Sequence, residues 1–206
     1  MLASHDLEIR GAGELLGESQ SGAIDEVGFS LYSQYLERAI QEIKSKNTPN
    51  QTSASPDPQG PADLRFNIPA LFPEAYLPDV HARLVFYKRI AGAKSAADLH
   101  ELQLEALDRF GGPLPDPAKS LFRIAKLQLH CHSIGICRFL LDQSGGKIEF
   151  VSKPTIDPRL IIALIQEQPG VFRMTNNESL QIKKRLIENS MRLEFAESLL
   201  MRFLTE

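Results

Sequence analysis

Apolar and polar positions along this chain follow two different periods, and each change of period marks an element. Over 29–46, Tyr32, Leu36, Ala39 or Ile40 and Ile43 share one face at helical spacing, with Glu37, Arg38, Gln41, Glu42 and Lys44 opposite. Phe29, Tyr32 and Tyr35 are expected to be packing surface on that helix. Residues 47–62 hold four prolines and no large apolar side chain, too little to bury for the segment to order itself. A linker is expected there. Leu64, Phe66 and Ile68 then alternate as in a strand (63–68), and the proline-punctuated apolar segment 69–78 is expected to lie across a surface.

Three helices follow. Asp79 caps the first, which runs to about Gly92 with Val80, Leu84, Tyr87 and Ile90 or Ala91 facing inward. Ser95 and Asp98 form a capping box for the second. It carries Leu99, Leu102, Ala106, Leu107 and Phe110 and stops at Gly111-Gly112. Asp116-Pro117 supplies an N-cap and a first-turn proline for the third, which turns Leu121, Ile124, Ala125 and Leu129 inward and ends near Ser133.

From Gly135 the period falls to two. Residues 136–141 and 147–151 read as strands joined through Gly145-Gly146, a hairpin signal. Asp157-Pro158 opens a short apolar helix over 159–168. A second hairpin, 171–174 with 179–182, turns at Asn176-Asn177. A last helix, about 184–205, carries Ile187, Met191, Phe195, Leu199 and Phe203 every fourth residue. No internal repeat is long enough for a solenoid. The second domain is therefore α+β, helix-rich, with two β-hairpins.

Composition narrows the function classes. At 206 residues, 43% hydrophobic, the chain can bury a sizeable core as one large or two small domains. Its net charge is −3, and residues 1–50 carry 4 basic against 8 acidic side chains, leaving 19 and 18. A strongly basic DNA-reading module is therefore not expected in this piece. Cys131 and Cys137 lie in apolar surroundings and no signal-like segment opens the chain, which points to a reducing, cytoplasmic setting. No window approaches the ~18 apolar residues of a membrane span, so no membrane is expected as a partner.

Catalytic and metal chemistry find little support. His130, Cys131 and His132 with Cys137 could suggest a small metal hydrolase. Adjacent helix residues point about 100° apart, however, and cannot share one tetrahedral ion without unwinding. The alternative is a helix C-terminus whose histidines favour the dipole. Asp116 and Asp157 look like caps, and Asp6, Glu8, Glu14 and Glu18 are scattered through turns, so paired-carboxylate catalysis is unsupported. No Gly-x-Ser-x-Gly elbow and no Gly-Lys-Ser or Gly-Lys-Thr phosphate loop occurs in the chain. Lys183-Lys184-Arg185 reads as a solvated hairpin exit rather than a phosphate site.

The most locally specified stretch is 5–22. A half-buried strand over 6–10 runs into Gly11, Gly13 and Gly17, set among Leu7, Ile9, Leu15 and Leu16. That spacing suggests tight turns or close backbone approach. Two readings stay open: a surface turn with Arg10 paired to Glu8 or Glu14, or a loop that places Arg10 and Gln20 against an anionic ligand such as a nucleic-acid backbone.

The run from Asp6 to Gly17, followed by Gln20-Ser21-Gly22, resembles the translocation motif shared by the transcription-repair coupling factor family and the branch-migration helicase RecG. Ala12 stands where the RecG relative usually has proline. Gly28-Phe29-Ser30-Leu31-Tyr32, Ile68-Pro69-Ala70-Leu71, Pro78-Asp79-Val80, the stretch from Arg83 to Ala91 and Asp108-Arg109-Phe110-Gly111 resemble the coupling factors alone. The resemblance implies that 1–46 complete a second RecA-like motor lobe, 47–62 form a flexible linker and 63–206 form a C-terminal regulatory domain. It implies that Arg10 and Gln20, with Gly11, Gly13 and Gly17, link ATP-driven lobe movement to travel along double-stranded DNA. In the family, the whole protein uses ATP and Mg, displaces stalled RNA polymerase and recruits the UvrA damage-recognition protein. Its terminal domain docks on the protein's own N-terminal UvrB-like module and restrains it. The family's phosphate loop, metal site and arginine finger lie upstream of the matching residues. This piece is therefore not expected to hydrolyse ATP or to need a cofactor of its own. The rival reading is a stand-alone helical protein-interaction module.

Overall fold

The computed structural model describes residues 62–176 and 178–204. The expected strand over 6–10, the glycine corner, the helix over 29–46 and most of the linker lie outside the described residues. So do Arg10, Gly11, Gly13, Gly17 and Gln20.

The described residues form an α+β domain with five helices and one mixed five-stranded sheet. In chain order these are β1 (Asp63–Arg65), α1 (Val80–Ala91), α2 (Ala96–Phe110), α3 (Asp116–Ile134), β2 (Ile136–Leu141), β3 (Gly146–Phe150), α4 (Pro158–Glu167), β4 (Phe172–Asn176), β5 (Ser179–Ile182) and α5 (Asn189–Leu204). Strand order is β1-β2-β3-β5-β4. Both expected hairpins form, and antiparallel pairing of β3 with β5 fuses them into one sheet. Strand β1 joins the outer edge of β2 in parallel. A parallel pair needs a long crossover, and α1, α2 and α3 supply it.

Alternation along the strands separates two faces. Leu64, Phe139, Leu141, Ile148, Phe150, Phe172, Leu180 and Ile182 are buried against the helices. Phe172 stacks on Phe195 of α5 at 6.2 Å, and Phe66 meets Phe139 edge-on at 5.2 Å. Two glycines let the first hairpin close against its neighbours. A Cβ on Gly145 would lie 2.2 Å from the Ile182 carbonyl oxygen, and one on Gly146 2.0 Å from that of Leu140.

The helix starts follow their caps. The Asp79 carboxylate accepts from the His81 and Ala82 amides, Ser95 and Asp98 close a reciprocal capping box, and Asp157 accepts from the Arg159 amide. Asp116 departs from expectation. Pro115 holds the N-cap position with no side-chain cap, and Asp116 is the first helical residue, its carboxylate 2.9 Å from Lys119 Nζ. Proline at the second helical position suits either register, so the sequence signal was ambiguous by one residue.

Five further expectations are corrected. Strand β1 spans three residues, not six, because Asn67 adopts φ 50° and turns the chain out of the sheet. Segment 69–78 does not merely lie across a surface. Phe72 is fully buried at the centre of a ring cluster with Phe86, Phe122, Tyr76 and Tyr87, and its amide donates to the Tyr87 hydroxyl at 2.8 Å. Helix α1 turns toward that cluster: Phe86, Tyr87 and Ile90 are buried while Val80 is 50% exposed. Helix α5 begins at Asn189, five residues later than expected. Before it the chain prolongs β5: Lys183 donates to the Val171 carbonyl and Leu186 to that of Gln143. Those tertiary bonds outweigh the helical propensity of 184–188. The expected stripe also drifts, since a strict spacing of four gains about 40° per step on a 3.6-residue helix. Ile187 and Met191 are exposed, and the buried face is Arg192, Leu193, Ala196, Leu199, Leu200 and Phe203.

Candidate functional site

Polar chemistry in the described residues gathers in three places. The first is Arg192, 3% exposed on the apolar face of α5. One terminal nitrogen donates to the carbonyls of Leu186 and Ile187 at 2.9 and 3.1 Å; the other donates to the Asn67 carbonyl at 3.1 Å and to Asn189 Oδ1. Its Nε is buried without a partner. These bonds tie the end of β1, the exit from β5 and the first turn of α5 together at one end of the sheet. A depression of about 320 Å³ opens there, lined by Asn67, Asp142, Gln143, Ser144 and Arg192. The Asp142 carboxylate accepts from Ser144 Oγ and from the amides of Ser144 and Gly145; those bonds, Ser144 first, hold it below the usual carboxylate range. Apart from the buried Arg192 Nε, both charged groups are thus spent on neighbouring backbone and on Ser144 and Asn189, and the arrangement fixes loops.

The second place is the open sheet face. One row of cross-strand neighbours is Asp63, Arg138, Glu149 and Ser179; the next is Arg65, Leu140, Lys147, Gln181 and Arg173. Asp63 pairs with Arg65 at 3.0 Å and Arg138 at 3.4 Å; Glu149 pairs with Arg138 at 3.0 Å and Lys147 at 2.7 Å. The Lys147 bond, with help from Arg138, lowers the Glu149 pKa. The third is a surface cap on the aromatic cluster. Arg89 and Arg109 both pair with Glu105, and both lie over the Phe86 ring at 5.7 and 5.8 Å.

The sequence's metal candidates do not converge. Cys131 is fully buried, its thiol pKa pushed up by burial, while His132 is exposed on the same helix end. Burial and the nearby Lys126 hold His130 toward its neutral form. Cys137 donates to the Glu149 carbonyl at 3.3 Å. Among the described residues no three His, Cys, Asp or Glu side chains could hold a metal ion. None of the described helices is long and apolar enough to cross a membrane. Lys183, Lys184 and Arg185 are exposed, as expected, although the Lys184 ammonium sits 4.8 Å over the Phe195 ring.

Reasoning from sequence passed over Arg192, yet a signal was present. It stands at the spacing of Ala196, Leu199 and Phe203, a cation inside an apolar stripe, which is rare without a partner. The open-face network needs the strand order, which no local pattern carries.

Relatives cover nearly all of the chain. The TRCF domain family matches residues 66–161. The transcription-repair-coupling factor of Haemophilus influenzae is 45% identical over 200 residues, 97% of this chain and 17% of its own length. That of Escherichia coli is 43% identical over 194 residues, 94% of this chain and again 17% of its own length. The chain thus spans about a sixth of these relatives. A solved structure, the C-terminal domain of transcription-repair coupling factor, matches with a TM-score of 0.56 at 22% identity, covering 73% of this chain and 98% of the other. The described residues therefore have the fold of a coupling-factor C-terminal domain, and the chain belongs to the transcription-repair-coupling factor family.

Proposed function

We propose that this chain is the C-terminal portion of an ATP-dependent double-stranded-DNA translocase that displaces stalled RNA polymerase and brings nucleotide excision repair to the site. The observation that carries the reading is the match of nearly the whole chain to the coupling factors of two bacteria at 45% and 43% identity, while covering only 17% of their length. Residues 1–46 finish the second RecA-like lobe, 47–62 are a linker, and 63–206 are the regulatory domain. ATP and Mg are bound by upstream parts of the parent protein. Arg10 and Gln20, with Gly11, Gly13 and Gly17, link ATP-driven lobe movement to the motor's grip on double-stranded DNA. A translocase gains work only if closure over ATP moves that grip, and a cation on a stiff loop couples the two. The terminal domain docks on the UvrB-like module of the same protein and holds back UvrA.

Arg10→Ala in a full-length coupling factor tests the coupling role. ATP hydrolysis is expected to persist near its normal rate while displacement of a stalled polymerase is lost, measured on the same preparation. Equal loss of both activities would assign Arg10 to ATP chemistry or to folding instead.

A further inference from the structure

The open face of the sheet carries two charged rows, one of mixed sign and one basic. In the row Arg65, Leu140, Lys147, Gln181 and Arg173, three cations stand on alternate strands, roughly 10 Å apart at a strand spacing of about 4.8 Å. Lys183 continues β5 beyond Gln181 on the same face, and Arg185 follows two residues on. Asp63 and Glu149 lie in the neighbouring row and spend their charge on Arg65, Arg138 and Lys147. Arg173, Lys183 and Arg185 are exposed, and no carboxylate pairs with them among the described residues. The half-buried Leu140 gives the row an apolar point between Arg65 and Lys147.

We propose that this open sheet face, centred on Arg65, Lys147, Arg173, Lys183 and Arg185, is a docking surface for an acidic protein segment. Charge complementarity selects an anion. The two carboxylates one row away select against a phosphate backbone, which needs a continuous positive track and would run over Asp63 and Glu149. A protein partner can put acidic side chains over the basic row and neutral or basic ones over its neighbour, so both rows contribute to register.

The test uses the whole chain, labelled with 15N, and a fluorescein-tagged peptide of alternating Glu and Ala as the acidic probe. Binding is expected to shift the amides of Arg65, Lys147, Arg173, Gln181 and Lys183 and to weaken as salt rises. The triple variant Arg173→Glu, Lys183→Glu, Arg185→Glu should bind at least tenfold more weakly. Its neutral counterpart with Gln at the same positions guards against misfolding and should fall between. Reversal of the exposed Lys88, Lys94 and Lys126 to Glu should leave binding unchanged. Three results would overturn the proposal: shifts spread over the helices, binding that survives both triple variants, or tighter binding of a duplex DNA oligonucleotide that the Arg173, Lys183, Arg185 reversals abolish.

Discussion

Arg192 shows how one residue can fix the geometry of several loops. Its guanidinium satisfies the carbonyls of Asn67, Leu186 and Ile187, groups from segments 125, 6 and 5 residues away in sequence. Removing it would leave those carbonyls with a void where their donor stood. Arg192→Ala is therefore expected to lower stability by about 2–4 kcal/mol, read from the urea midpoint. Arg192→Lys should recover less than half of that, because a single ammonium cannot span the fork geometry that reaches three carbonyls at once. Full recovery by lysine would reduce the role of Arg192 to its charge. The residue scale was also where local reading was least complete. A cation in an apolar stripe can be noticed in the sequence, but its partners come from loops that only the folded sheet brings together.

Helix caps belong to the scale of the element, and there the sequence spoke most clearly. Asp79, the Ser95–Asp98 box and the Asp157-Pro158 start all formed as their local chemistry requires. Asp98 accepts from the Lys94 and Ser95 amides and from Ser95 Oγ, and these bonds, that from Lys94 foremost, lower its pKa. A carboxylate with a depressed folded pKa contributes stability above its unfolded value, near 4, and loses it as pH falls through the folded one. Glu105 and Glu149 are depressed in the same direction by Arg89 and Lys147. The thermal midpoint is thus expected to drop as pH falls from about 5 to about 2, and Asp98→Asn should make that drop shallower. Parallel curves for the two proteins would show that the box carries no charge-dependent stability. Hairpins were equally legible, since Gly145-Gly146 meets backbone too closely for any side chain. Periodicity misled in α1 and α5. Both have competing apolar stripes, and the choice between them is made by tertiary partners: Phe72 for α1, and for α5 the Asn67 carbonyl that receives Arg192, together with the β5 extension.

At the scale of the whole molecule, the α+β class could be read from the order of periods, whereas the sheet could not. Nothing local says that two hairpins share an edge or that β1 runs parallel to β2 across three helices. The consequence of that topology is one packed core beneath the sheet and one open, charged face above it. A domain built this way has its own core and leaves a surface free for other parts of a protein, as the proposed restraint requires. The most direct measurement removes residues 63–206 from a full-length coupling factor and follows UvrA binding and ATP turnover together. Both should rise above the intact protein's level if the domain restrains its parent. Both staying at that level would contradict the account.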